Sequence, residues 1–264
     1  MTGIVGDHGQ TEWRGQTPQQ VALDQILAEF KLADTAVGFH ADEELIVCPN
    51  MRAAAVYLSR HCSFSRDYIA KTILQHDGVD QAIYREDRTD GSTMLTVRTR
   101  DRGRLTFARE SSDLAHSGSQ VRDAYGNLWC VFGELTALDL SVDEDGQLTD
   151  GVYPNPLERI AGAFPPGSNP IWLTASPKAE FKIAESSSHA SGSHGSLHRD
   201  DSVAALLTTS DADLSHLPDR ATPRIVDVMD VCLASLGRAR RPHRNDESSS
   251  SVDTKNTSSE TITQ

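Results

Sequence analysis

The chain has no run of apolar residues approaching the ~20 that a membrane helix requires, and no secretory leader is visible. The expectation is a cytoplasmic protein with no membrane segment. Cysteine is sparse and scattered. Cys48, Cys62, Cys130 and Cys232 show no CxxC spacing, which removes a disulfide scaffold and a structural zinc knot. Positive charge is also short: 25 Lys and Arg stand against 38 Asp and Glu, a net of -13. Nucleic acid, which needs a basic surface, is therefore not the expected partner. Asp outnumbers Glu and Arg heavily outnumbers Lys. That bias suits a salt-adapted protein, whose hydrated carboxylates keep it soluble while salt screens their repulsion.

What is present is enough for a core. Apolar residues make up 38% of 264 positions, sufficient for one large domain or a domain with an insertion. From Arg238 onward the sequence turns to Arg-Ala-Arg-Arg-Pro-His-Arg and then to Ser, Thr, Asp and Glu. That composition predicts a disordered tail over 238–264.

Near the start, the apolar residues Ile4 and Val5 break into Gly6-Asp7-His8-Gly9-Gln10. Adjacent residues of a regular strand point to opposite faces, so Asp7 and His8 need a turn to face one ion. Flanking glycines supply it, because glycine accepts unusual dihedrals and close backbone approach. A carboxylate oxygen beside an imidazole nitrogen suits zinc or a related divalent ion. The segment reads as the tip of a buried strand, and open α/β sheets bind ligands at such carboxyl ends.

Next, Thr17-Pro18-Gln19-Gln20 has the form of a capping box with proline at the first helical position. Val21, Leu23, Ile26, Leu27 and Phe30 then predict a helix through Lys31. Between about Val37 and Ala163 strands dominate. They are expected over 44–48, 53–58 and 127–132, with a hairpin of 93–100 and 105–109 around Asp101-Arg102-Gly103 and a helix over 65–76. This stretch reads as a compact α+β insertion. Asp143-Glu144-Asp145-Gly146 lacks EF-hand spacing and reads as a hydrated turn. Short strands at 170–175 and 202–208 follow, with a closing helix over 222–237 that stops at Gly237.

The second chemical segment is Ser191-Gly192-Ser193-His194-Gly195-Ser196-Leu197-His198. Small neighbours leave His194 room to reach an ion. His198, Asp200 and Asp201 are candidates to support such ligands, against the plainer expectation of a solvated loop. Trp13 and Arg14 either shape a phosphate pocket or, for Trp13, simply pack. His40, His61 and His76 read as ordinary surface or half-buried residues.

Together these segments resemble the alkaline-phosphatase-like superfamily, closest to its type I phosphodiesterase/nucleotide pyrophosphatase branch. The resemblance rests on Gly6-Asp7-His8-Gly9-Gln10, on Gly192-Ser193-His194-Gly195, on the apolar Val203 to Leu207, and on Arg224 to Gly237. It covers residues 1–35 and about 150–237. It implies a three-layer α/β/α fold with a mostly parallel sheet, incomplete here. The core would comprise 1–36 and 151–237, with an inserted α+β cap over 37–150. It also implies two divalent ions, zinc first, with Asp7 and His8 ligating one and His194 the other. The implied activity is hydrolysis of phosphodiester, pyrophosphate or phosphomonoester bonds in a small phosphorylated substrate such as a nucleotide, through a covalent phospho-enzyme. Sulfatases and phosphomutases share the fold. The family's nucleophile precedes its Asp-His-Gly, so the expectation is a truncated chain with the nucleophile upstream. Neither Thr11 nor Ser193 is nominated in its place. The alternative is an inactive remnant or a non-enzymatic metal-binding module.

Overall fold

The computed structural model describes residues 3–87, 92–109, 118–165, 167–183, 191–210 and 222–238, with 189, 212, 214, 215 and 217 as isolated positions. Most of the tail expected over 238–264, and part of the loop over 186–195, lie outside them. Residues 3–207 form one compact unit, and the chain passes into a second within its last strand.

In chain order the first unit runs β1 (Gly3–Val5), β2 (Thr11–Glu12), β3 (Gln19–Ala22), α1 (Leu23–Ile26), β4 (Leu45–Asn50), β5 (Ala53–Leu58) and α2 (Arg66–Ile73). It continues with β6 (Val79–Asp87), β7 (Thr93–Arg98), β8 (Arg104–Arg109), β9 (Ser119–Arg122) and β10 (Leu128–Gly133). After a 3₁₀ turn (Leu135–Leu138) come β11 (Leu140–Val142), β12 (Leu148–Asp150), α3 (Pro156–Gly162) and β13 (Ile171–Ala175). The unit closes with β14 (Ala179–Lys182), β15 (Gly192–Ser193), α4 (Arg199–Ser202) and β16 (Leu206–Thr208).

An eight-stranded sheet in the order β4-β5-β13-β6-β7-β8-β10-β9 dominates. Every pairing in it is antiparallel. The mostly parallel three-layer α/β/α architecture expected from the resemblance is therefore overturned. The physical reason lies in the connections. Parallel neighbours need crossovers of a dozen or more residues, usually through a helix. Here β4 and β5 are joined across Met51 and Arg52 alone, with Asn50 opposite Ala53. β7 and β8 close over a short turn in which Thr99 N–H donates to Gly103 O at 3.0 Å. Such turns permit only antiparallel return. Pro49 lies in β4, an edge strand, where its missing N–H costs no ladder bond.

Both faces of this sheet are covered. Along β13, Ile171 and Leu173 join Ala54, Val56, Ala82 and Tyr84 under the α1 and α2 residues Leu23, Ile69, Ala70 and Ile73. The alternate residues Ile83, Val97, Leu105 and Phe107 face Leu138, Leu140, Leu148, Leu157 and Ile160. The period-two alternation of the strands thus sorts side chains into two cores. Each fully buried Leu, Ile or Phe contributes about 1.5–3 kcal/mol.

The helix expected from Thr17 to Lys31 is replaced by β3 and the four-residue α1. β3 runs parallel to β14, pairing Val21 with Phe181. Val21 is fully buried and Phe181 nearly so, so tertiary pairing prevails over the local capping signal. The hairpin around Gly103 is present as expected, with that glycine at φ +90. The closing helix forms as α5 (Ile225–Ser235) in the second unit, with Gly237 at φ +63 just beyond it. No helix among the described residues is long and apolar enough to cross a membrane.

Candidate metal-binding site

Asp7 and His8 occupy a connection that begins at the end of β1. Gly6 N–H donates to Ala205 O and Gly9 N–H to Asp201 O, each at 3.0 Å. These bonds press the tip against α4 and the residues after it. A Cβ on Gly9 would lie 2.1 Å from Asp200 O and 2.7 Å from Val203 O, so only glycine fits. Beyond the tip, β2 pairs with β15, placing Ser193 opposite Thr11. His194 follows directly, and its carbonyl accepts from Arg52 N–H at 3.0 Å.

This pairing brings the two histidines together. Their rings stack with centroids 3.7 Å apart and planes 21° from parallel. His8 Nδ1 lies 2.7 Å from Gly9 O, and a carbonyl only accepts, so Nδ1 carries the proton. In the neutral ring Nε2 then carries the lone pair, and this nitrogen lies 3.4 Å from Asp7 Oδ2. Two donors on one tetrahedral zinc at ~2.0–2.1 Å are separated by about 3.3 Å, so this pair fits one edge of such a site. Burial lowers the His194 pKa and the neighbouring His8 lowers it further, which favours the neutral, ligating form. Among the described residues no group of three His, Cys, Asp or Glu is gathered to hold an ion as it stands. His194 meets His8 face to face rather than edge to edge.

Beneath the histidines lies a buried polar hub. Arg52 and Asp201 are 0% exposed at their side chains and pair at 2.5 Å. Thr11 Oγ1 donates to Asp201 Oδ1 at 2.6 Å and receives Arg52 Nη1. Ser196 N–H donates to the other Asp201 oxygen at 2.9 Å, and Arg52 Nη2 to Ala175 O at 3.2 Å. One carboxylate thus ties β2, the segment after His194 and the β4–β5 turn. Asp201 therefore corrects the expectation of a solvated loop, whereas Asp200 is exposed. His198 caps α4, accepting from Asp200 N–H at 3.3 Å.

A second buried carboxylate, Glu180, accepts from Ser193 Oγ at 3.1 Å and pairs with His189. Arg52 and Glu180 carry no local sequence signal. Their partners are remote, and burial of a charged residue is not written in its neighbours. Trp13 is 5% exposed and packs. Arg14 borders an open depression with Gln10, Glu12 and Ser191. His40 and His61 are exposed and His76 is half-buried. Comparisons with protein-family models, with curated proteins and with solved structures return no match.

Proposed function

We propose that Asp7, His8 and His194 hold a divalent cation, zinc first, and that the protein serves metal-dependent hydrolysis of a small phosphorylated substrate such as a nucleotide. The observation that supports this is the meeting of two glycine-flanked segments from opposite ends of the unit, with the His8 and His194 rings 3.7 Å apart and the Asp7 carboxylate beside them. When bound, such an ion supplies Lewis acidity toward a phosphoryl oxygen. The chain's own residues do the rest. Gly9 O fixes the His8 tautomer, and Asp201 with Arg52 holds both ligand-bearing segments in register. Three donors serve one ion. The two-ion arrangement needs ligands beyond these three.

One observation favours the alternative of a non-enzymatic metal-binding module. The hydroxyls nearest the histidines in sequence, Thr11 and Ser193, are buried and donate to Asp201 and Glu180. Neither is placed for nucleophilic attack. Zinc uptake measured against a chromophoric chelator, with hydrolysis of bis(p-nitrophenyl) phosphate, separates the readings. The expected result is zinc bound by the wild type and weakened by about tenfold or more in H8A and H194A. Equal zinc uptake by an H8A/H194A double variant would end the proposal. Binding without turnover selects the module.

A further inference from the structure

A cavity of about 210 Å³ lies between α3 and the sheet, immediately beside the His194 segment. Its apolar walls include Ile83 from the sheet, Ile160 and Phe164 from α3 and its exit, Trp172, and Leu197. Gly195 and Ala53 also border it. Gly195 directly follows His194 and Ala53 directly follows Arg52, so the cavity borders the backbone segment that carries the candidate ligand His194.

The polar groups at its edge are already engaged. Arg159 donates to Pro154 O at 3.1 Å, Leu197 O at 3.0 Å and Ser202 Oγ at 2.8 Å. Its hydrogen-bonding end is thus spent on backbone and hydroxyl partners, and its aliphatic stem is what suits an apolar wall. Thr174 Oγ1 donates to Gln81 Oε1 at 3.0 Å, and Trp172 Nε1 to Ala163 O at 3.2 Å. An occupant would meet mostly hydrocarbon and two aromatic rings. Phe164 is itself oriented by the Arg85 guanidinium, 5.6 Å from its centroid. An apolar cavity of about 150 Å³ takes benzene, so this one has room for a single substituted ring, with the offset or edge contacts that aromatic walls favour.

We propose that this cavity binds one aromatic ring, and that the ring is the organic part of the ligand whose phosphoryl group is held at Asp7, His8 and His194. The second half rests on the metal-dependent phosphoester reading, and the first does not. The test is a fluorine NMR titration of the full chain with 4-fluorophenol after chelation of metal, then with 4-fluorophenylphosphonate with and without zinc. Ala163 is exposed at the cavity's edge, so A163W blocks the mouth without entering a core, and A163L is the smaller variant should the larger one fold poorly. The expected result is saturable 4-fluorophenol binding that either variant weakens, by tenfold or more for A163W. Zinc should leave the phenol unchanged and tighten the phosphonate at least tenfold. Absence of saturable phenol binding, or equal binding by folded A163W or A163L, overturns the ring site even if zinc binds. Ring binding in a protein that takes up no zinc retains the cavity and removes the metal reading. Zinc uptake with no gain for the phosphonate removes the shared ligand.

Discussion

Removing the Asp201 carboxylate would leave the Arg52 guanidinium charged where no water reaches it. Both side chains are fully enclosed, and Arg52 Nε already lacks a partner. Breaking a buried pair by deleting one member costs about 3–5 kcal/mol, whereas replacing both by apolar residues of similar size is near neutral. D201A is therefore expected to lose about that much stability in urea unfolding, and R52M/D201L to recover only part of it, because the Thr11 hydroxyl and the Ser196 N–H still lose their Asp201 acceptor. A D201A protein as stable as wild type would show that the hub holds nothing. Next to it, Met51 sits at φ +56, a conformation that costs a non-glycine residue about 1–2 kcal/mol. Glycine there gives back about 0.5–1 kcal/mol through the unfolded chain. M51G should accordingly raise the urea midpoint slightly, and a lowered midpoint would contradict the strain. At this scale the segments that bring His8 and His194 together were legible because glycine spacing isolates chemistry-bearing side chains. Arg52 was not, since Asn-Met-Arg-Ala reads as a turn and its partner Asp201 stands in a run that reads as solvated.

Elements were legible where local and long-range forces agree. The β7–β8 hairpin has alternating strands and a glycine where the turn requires positive φ, and it forms as read. α2 begins at Ser65, whose Oγ accepts from Tyr68 N–H at 3.1 Å. Where the two disagree, long-range pairing prevails, as β3 shows. The same helix, α2, anchors to the sheet through Asp67. Burial raises the Asp67 pKa, but hydrogen bonds from Lys71, Tyr84 and Arg98 outweigh it and bring the value down to about 2. The folded value lies below the unfolded one, so this contribution is complete above about pH 4 and disappears as pH falls toward 2. Its size is at most about 2 kcal/mol, less whatever solvent screening removes. D67N should lose stability at neutral pH and show a flatter decline than wild type between pH 4 and 2. Identical acid limbs for the two proteins would place the anchor elsewhere.

The molecule carries a net charge of -13, and the sign of its response to salt is decided by two opposed terms. Exposed pairs such as Lys31–Asp42, Arg100–Asp77 and Arg104–Glu86 are weakened by screening, but solvent already leaves each of them little to lose. The buried Arg52–Asp201 pair lies beyond the reach of ions. Repulsion among the excess carboxylates acts over the whole surface, and at 1 M salt the screening length shrinks to about 3 Å. Net repulsion therefore wins, and stability should rise with potassium chloride. The two routes by which salt can stabilise are separable. Screening of repulsion is steep below a few tenths molar and then saturates, while excluded anions such as sulfate go on strengthening apolar burial as their concentration climbs. Thermal unfolding in potassium chloride is expected to show an early rise and a plateau, and in potassium sulfate the same rise followed by a continued slope. A midpoint that is flat or falls across the first half-molar of chloride would mean that the favourable ion pairs outweigh the repulsion, and that the acidic bias of this sequence is not an adaptation to salt.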